Sequence, residues 1–114
     1  MNIIFGDAID SVSDNYTKLE LDTVLVAGKT YTAYCLVDNI PLIEFSFLES
    51  NKKLHAELIT QYQQRNWSFC KDAIEKLLGL WGGSVDTFYR ELQSRIADYE
   101  QNPPPPQWNG VLQQ

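Results

Sequence analysis

The chain has 114 residues, of which 44% are hydrophobic and 21% charged, with a formal net charge of −6 and an isoelectric point near 4.6. That is enough for one modest core, alone or with an appendage, and too acidic for the basic footprint that nucleic acid or an anionic membrane surface demands. No apolar run approaches the about 20 residues of a membrane span and no basic-then-apolar leader opens the chain, so a cytoplasmic protein is expected.

Ile3-Ile4-Phe5 ends at Gly6 and reads as a short buried strand. Residues 7–13 suit a helical turn or two, with Asp7 as a candidate N-cap. From residue 18 the pattern alternates, Leu19, Leu21, Thr23 and Leu25 against Lys18, Glu20, Asp22 and Val24, as a strand with one solvated face should. Ala27-Gly28-Lys29 is a tight turn in which Gly28 takes positive φ, and TYTAYCLV after it is rich in β-formers. Residues 17–37 are therefore expected to form a hairpin, broken at Asp38-Asn39 and closed off by Pro41.

Helical spacing takes over beyond this point. Leu54, Leu58, Ile59 and Tyr62 mark a helix between Phe47 and Gln64. Asn66 caps a second, Ser68 to Leu80, whose stripe is Cys70, Ala73, Ile74, Leu77 and Trp81, and Gly82-Gly83 stops it. Ser84 caps a third, with Asp86 in its first turn and a stripe of Val85, Phe88, Tyr89, Leu92, Ile96 and Tyr99. The short Arg65-Asn66 joint sets the first two helices antiparallel. Four prolines follow Asn102 and cannot be helix or central strand. They predict a polyproline II rod, a strap that runs back over the helices and seats Trp108 in an aromatic pocket walled by Trp67 or Trp81. Asn109-Gly110 then turns the chain so that Val111 and Leu112 add contacts. A free tail recognised by an SH3- or WW-like module competes with the strap, but the flanking Gln and Asn suit it poorly.

Few residues invite catalytic chemistry. His55, the sole histidine, has no nucleophile or metal partner near it in sequence and reads as a surface or half-buried helix residue. Asp7, Asp10 and Asp14 lack the glycine and closing glutamate of a calcium loop. Cys35 and Cys70 are too isolated for a metal site or a disulfide framework and read as buried free thiols. No catalytic residue, metal or cofactor is expected. The aromatic faces, Tyr62, Trp67, Trp81, Phe88 and Tyr89, suit the core of a small bundle or a groove for the tail or a peptide.

Read in order, LELDTVLVAGKTYTAYCLV, with Leu21-Asp22, Val26, Gly28-Lys29 and Tyr34, resembles the closing hairpin of bacterial class III adenylate/guanylate cyclase catalytic domains. NIIFGDAIDSVSDNY resembles the strand and helix before it. Tyr62, Asn66-Trp67, Ala73 and Arg95 fit the TPR-like tail that follows that domain, and NPPPPQWNGV matches its proline-tryptophan ending. The resemblance implies three segments: a catalytic-domain-like β segment over 1–39, a TPR-like unit over 40–101 and a polyproline/Trp tail over 102–114. The family's metal-binding aspartates and transition-state Asn/Arg pair belong upstream of this segment, so the chain is not expected to be an enzyme by itself. Its turn carries Ala27 where the family has a lysine, leaving Lys29 as the phosphate-binding candidate. The expectation is an α+β fold: a small antiparallel sheet of hairpin plus N-terminal strand, then a three-helix TPR-like unit and a strap. The role expected is a regulatory or protein-interaction module that self-associates as a homodimer or docks on the rest of a cyclase. The alternatives are a TPR-like adaptor holding a peptide in an aromatic groove and, less favoured, a chain that completes a cyclase site in trans through Lys29.

Overall fold

The computed structural model describes residues 2–13, 15–38 and 45–113. Asn39, Pro41 and Asp14, named above as hairpin breakers and as part of the acidic set, lie outside the described residues. The fold is α+β: β1 (Asn2–Phe5), a 3₁₀ turn (Gly6–Ser11), β2 (Tyr16–Val26), β3 (Lys29–Asp38), α1 (Phe45–Gln63), α2 (Trp67–Leu77), α3 (Asp86–Gln101) and β4 (Val111–Gln113).

The strands form one sheet in the order β1-β3-β2-β4. β2 and β3 pair antiparallel, as alternating patterns joined by a two-residue turn require, and β1 pairs antiparallel with the other edge of β3. That turn places both Ala27 and Gly28 at positive φ, 50° and 81°; Gly28 takes this freely and Ala27 does so under strain. The sheet is mixed rather than antiparallel, because β4 pairs parallel with β2, Thr23 opposite Val111 and Leu25 opposite Gln113.

The strict alternation expected along β2 breaks between Glu20 and Thr23. Glu20 pairs with Tyr34 and Thr23 with Thr32, so Leu21 and Asp22 together face Ala33. This is a β-bulge, and the extra residue reverses the phase of everything after it. Thr23 and Leu25 therefore leave the face of Leu19 and Leu21, and Val24 and Val26 join it. Thr23 and Thr32 bond hydroxyl to hydroxyl across the pair at 3.0 Å.

The core lies between the Leu19, Leu21, Ala33 and Cys35 face of the sheet and the three helix stripes. Leu58, Ile74, Leu77, Leu92 and Ile96 are fully buried within it. α2 begins where expected, with the Asn66 side chain accepting the Phe69 N–H. It stops at Leu77 rather than Leu80, because Gly79 turns left-handed, φ 83°. Ser84 does not cap α3: the residue before the helix is Val85, and the Asp86 carboxylate instead accepts the Gly79 N–H at 2.8 Å, tying the interhelical turn together. No helix among the described residues is long and apolar enough to cross a membrane.

Candidate interaction site: the dock of the C-terminal tail

α1 ends in a Schellman arrangement, the Asn66 N–H reaching the Gln61 carbonyl at 2.9 Å and the Arg65 N–H the Tyr62 carbonyl at 3.1 Å. That motif needs a left-handed residue, usually glycine, and here it is Arg65, at φ 64°. A side chain in this conformation costs about 1 kcal/mol. It also aims the guanidinium across the tail. Nη1 donates to the Pro104 carbonyl at 3.0 Å, Nη2 to the Pro105 carbonyl, and Nη2 reaches the Trp108 carbonyl at 3.4 Å. The same guanidinium lies 5.5 Å from the centre of the Trp108 ring, within cation–π range.

Three helices supply the rest of the pocket. Trp108 meets Tyr62 from α1 edge-on at 5.3 Å, Tyr99 from α3 at 5.2 Å and Trp67 from α2 at 5.9 Å, while Trp67 and Tyr99 stack on each other at 5.5 Å. The prolines do not run as one straight rod. The Trp108 N–H returns to the Pro105 carbonyl at 3.0 Å, which puts Pro106 second in a turn, a position its fixed φ suits. Beyond Trp108, the Asn109 side chain accepts the Val111 N–H at 3.2 Å. Gly110 sits at φ 91°, where a Cβ would lie 2.8 Å from Gln63 Cγ, and the chain then enters β4.

The aromatic candidates divide between two places. Tyr62, Trp67 and Trp108 meet at the dock. Trp81, Phe88 and Tyr89 lie in the core around His55 and do not line the groove. His55 is 1% exposed, not a surface or half-buried residue. One ring nitrogen bonds the Glu20 carbonyl at 2.5 Å and the other the Tyr89 hydroxyl at 2.8 Å, while the Trp81 indole donates to the same hydroxyl at 3.0 Å. A carbonyl only accepts, so Nε2 carries the proton, and Nδ1 accepts from Tyr89. Burial lowers the His55 pKa, against the opposing pull of the Glu20 carbonyl, and burial raises that of Tyr89. The neutral ring satisfies every partner.

A second polar tie closes on the same bulge. Arg95 forks onto Asp22 at 2.8 and 3.0 Å, with Glu91 at 3.0 Å on its outer side. Tyr62 joins the two regions: its ring packs on Trp108, while its buried hydroxyl belongs to the Arg95 and Asp22 neighbourhood, and burial pushes its phenol upward. Cys35 and Cys70 are buried free thiols. Burial raises the pKa of both, Cys70 to about 11, which leaves them unreactive as nucleophiles. Lys29 stands exposed at the hairpin tip, opposite Val26, and Asp7 and Asp10 are exposed on the 3₁₀ turn.

Arg65 escaped the sequence reading because nothing in Arg-Asn marks a left-handed arginine. Its only local signal is a helix that must end within the two residues before an N-capping asparagine. No family model matches the chain, and neither a curated protein nor a solved structure matches it.

Proposed function

We propose that the chain is a non-catalytic, regulatory protein-interaction module, kin to the C-terminal segment of class III nucleotide cyclases, and that it works by seating its half-covered sheet on a larger catalytic body. The observation that carries the role is the uneven cover of the apolar sheet face. By register, Phe5, Val24, Val26 and Tyr31 continue the face of Leu19, Ala33 and Cys35. The helices bury the second set, whereas Phe5, Val26 and Tyr31 are 52%, 42% and 39% exposed and, with Val24, line an open concavity. β1 beside it is the edge strand of the sheet and carries no charge or proline, the usual defences of an edge.

Kinship is supported by which residues meet. Asp22 of the hairpin segment and Arg95 of the TPR-like segment form one bidentate pair. Tyr62 and Trp67 of the TPR-like segment and Trp108 of the proline-tryptophan ending form one aromatic cluster. Lys29 stands at the same hairpin tip as the concavity.

The test mixes the full chain with a class III cyclase catalytic domain that lacks its closing hairpin and follows the mass by light scattering. A one-to-one complex is expected, lost in Phe5→Asp and Val26→Asp. No complex, with the wild-type chain monomeric, overturns the proposal. A stable homodimer abolished by both variants replaces the catalytic body with a second copy. A second reading, an adaptor that holds a peptide in an aromatic groove, is favoured by the Arg65 dock.

A further inference from the structure

The dock already has an occupant, and that occupant defines the ligand chemistry. Every group that grips the tail belongs to the body of the fold: Arg65 at the α1 terminus, Tyr62, Trp67 and Tyr99 on the three helices, and the β2 edge from Thr23 to Leu25. None of these contacts depends on which molecule supplies the tail. The link between α3 and the gripped segment is short, Asn102 and Pro103, both exposed. Asn102, at φ −129° and ψ 82°, sits short of the extended region, ψ of about 120–160°, toward which a following proline pushes a residue. The hinge can therefore open by moving Asn102 into that favoured region, with no disallowed backbone. The tail is also an identical element in every copy, which makes its exchange between copies a low-cost route to a dimer.

We propose that the Arg65–Tyr62–Trp67–Tyr99 dock takes the proline-tryptophan tail of a second copy, so that two chains join by exchanging residues 104–113. In one molecule the tail competes at an effective concentration in the millimolar range. The closed monomer accordingly dominates in dilute solution, and exchange appears when the internal contact is broken or the chain is concentrated. This inference rests on the dock alone and does not involve the open sheet face.

Two full-length variants test it by complementation. Trp108→Ala keeps the dock and spoils the tail. Arg65→Gly keeps the tail and spoils the dock, while supplying the residue the helix end prefers. Each alone at several hundred micromolar should run as a monomer of 13.1 kDa. Mixed, they should form a species of about twice that mass, because the dock of the first accepts the tail of the second, and the Trp67 indole resonance of a labelled Trp108→Ala chain should shift. If Trp108→Ala fails to fold, Gly110→Ala takes its place, since the new methyl meets Gln63 and loosens the tail without touching the aromatic wall. Folded variants that stay monomeric when mixed, with the Trp67 signal unmoved, overturn the proposal. So does a dimer that either variant forms alone, which places the contact elsewhere, on the sheet face.

Discussion

The bulge in β2 and the dock of the tail tie the same helices to the same sheet by opposite means. At the bulge the groups are largely buried and, the Tyr62 hydroxyl apart, matched: the single proton on His55 meets the Glu20 carbonyl, the Tyr89 and Trp81 donors each have an acceptor, and Arg95 faces Asp22 through two parallel bonds. At the dock an arginine in an unfavourable backbone conformation reaches for main-chain carbonyls on a segment that is mostly exposed. A buried, satisfied network is costly to open, because each group released loses its partner without gaining water. A strained grip on exposed carbonyls costs little to open, because water replaces the lost bonds. The bulge region holds the fold together, and the dock holds something that can leave.

Removing the centre of the bulge network gives the largest expected effect. His55→Ala opens a cavity, leaves the Tyr89 proton without its acceptor and the Glu20 carbonyl without the imidazole donor, at a cost of about 3–4 kcal/mol in urea unfolding. A loss under about 1 kcal/mol breaks the comparison, since the bulge would then be no more rigid than the tail. Acid probes the same group. Folded His55 has a lowered pKa, so below the ordinary value of 6.5 the unfolded chain binds more protons than the folded one. The stability that depends on neutral His55 is thus fully present above about pH 6.5 and is lost as pH falls below it. His55→Gln should flatten that part of the profile, and an unchanged profile would place the acid sensitivity elsewhere.

At the dock, Trp108→Ala should cost about 2–3 kcal/mol, below the range for a fully buried aromatic because Trp108 is only partly buried. Tail amides should lose hydrogen-exchange protection while the α2 and α3 amides keep theirs at matched stability. Unchanged urea melting would mean that the aromatic cluster contributes nothing and that β4 alone holds the tail.

The two regions also differ in how far a sequence discloses them. The hairpin, the three helix stripes and the Asn66 cap are local patterns, readable because period 2 and period 3.6 repeat within a few residues. The docking of Trp108 is legible only in part: a tryptophan after a helix-breaking run points to an aromatic pocket, but Trp67 and Trp81 are equal candidates for its wall, and it is Trp67 that meets it while Trp81 lies in the core. The bulge is silent, because Leu-Asp-Thr-Val alternates equally well with or without an inserted residue. The burial of His55 rests on partners 34 and 35 residues away, while its neighbours Lys52, Lys53 and Glu57 suggest a wet surface. Val-Leu-Gln, the whole of β4, is too short to declare itself a strand, and its parallel direction is a property of the tail's path. The expected Ser84 cap fails because α3 starts one residue later, with Val85 in the cap position, while Asp86 holds the Gly79 N–H across the turn.

The smallest effect is the sharpest test. Arg65→Gly has two consequences that oppose each other in global stability and separate in the tail. Glycine relieves the left-handed strain at the end of α1, worth about 1 kcal/mol. It also removes the guanidinium bonds to Pro104, Pro105 and Trp108, worth about 1–2 kcal/mol where partly exposed. The urea midpoint should therefore move by less than about 1 kcal/mol in free energy, while amide protection from Trp108 to Gln113 falls. Arg65→Lys keeps the strain, loses the fork and should be the less stable of the two. If Arg65→Gly instead stabilises the chain and leaves the tail protected, the arginine is not the tail's clasp. The left-handed residue would then be an uncompensated strain, and the contrast between the two regions would reduce to buried against exposed.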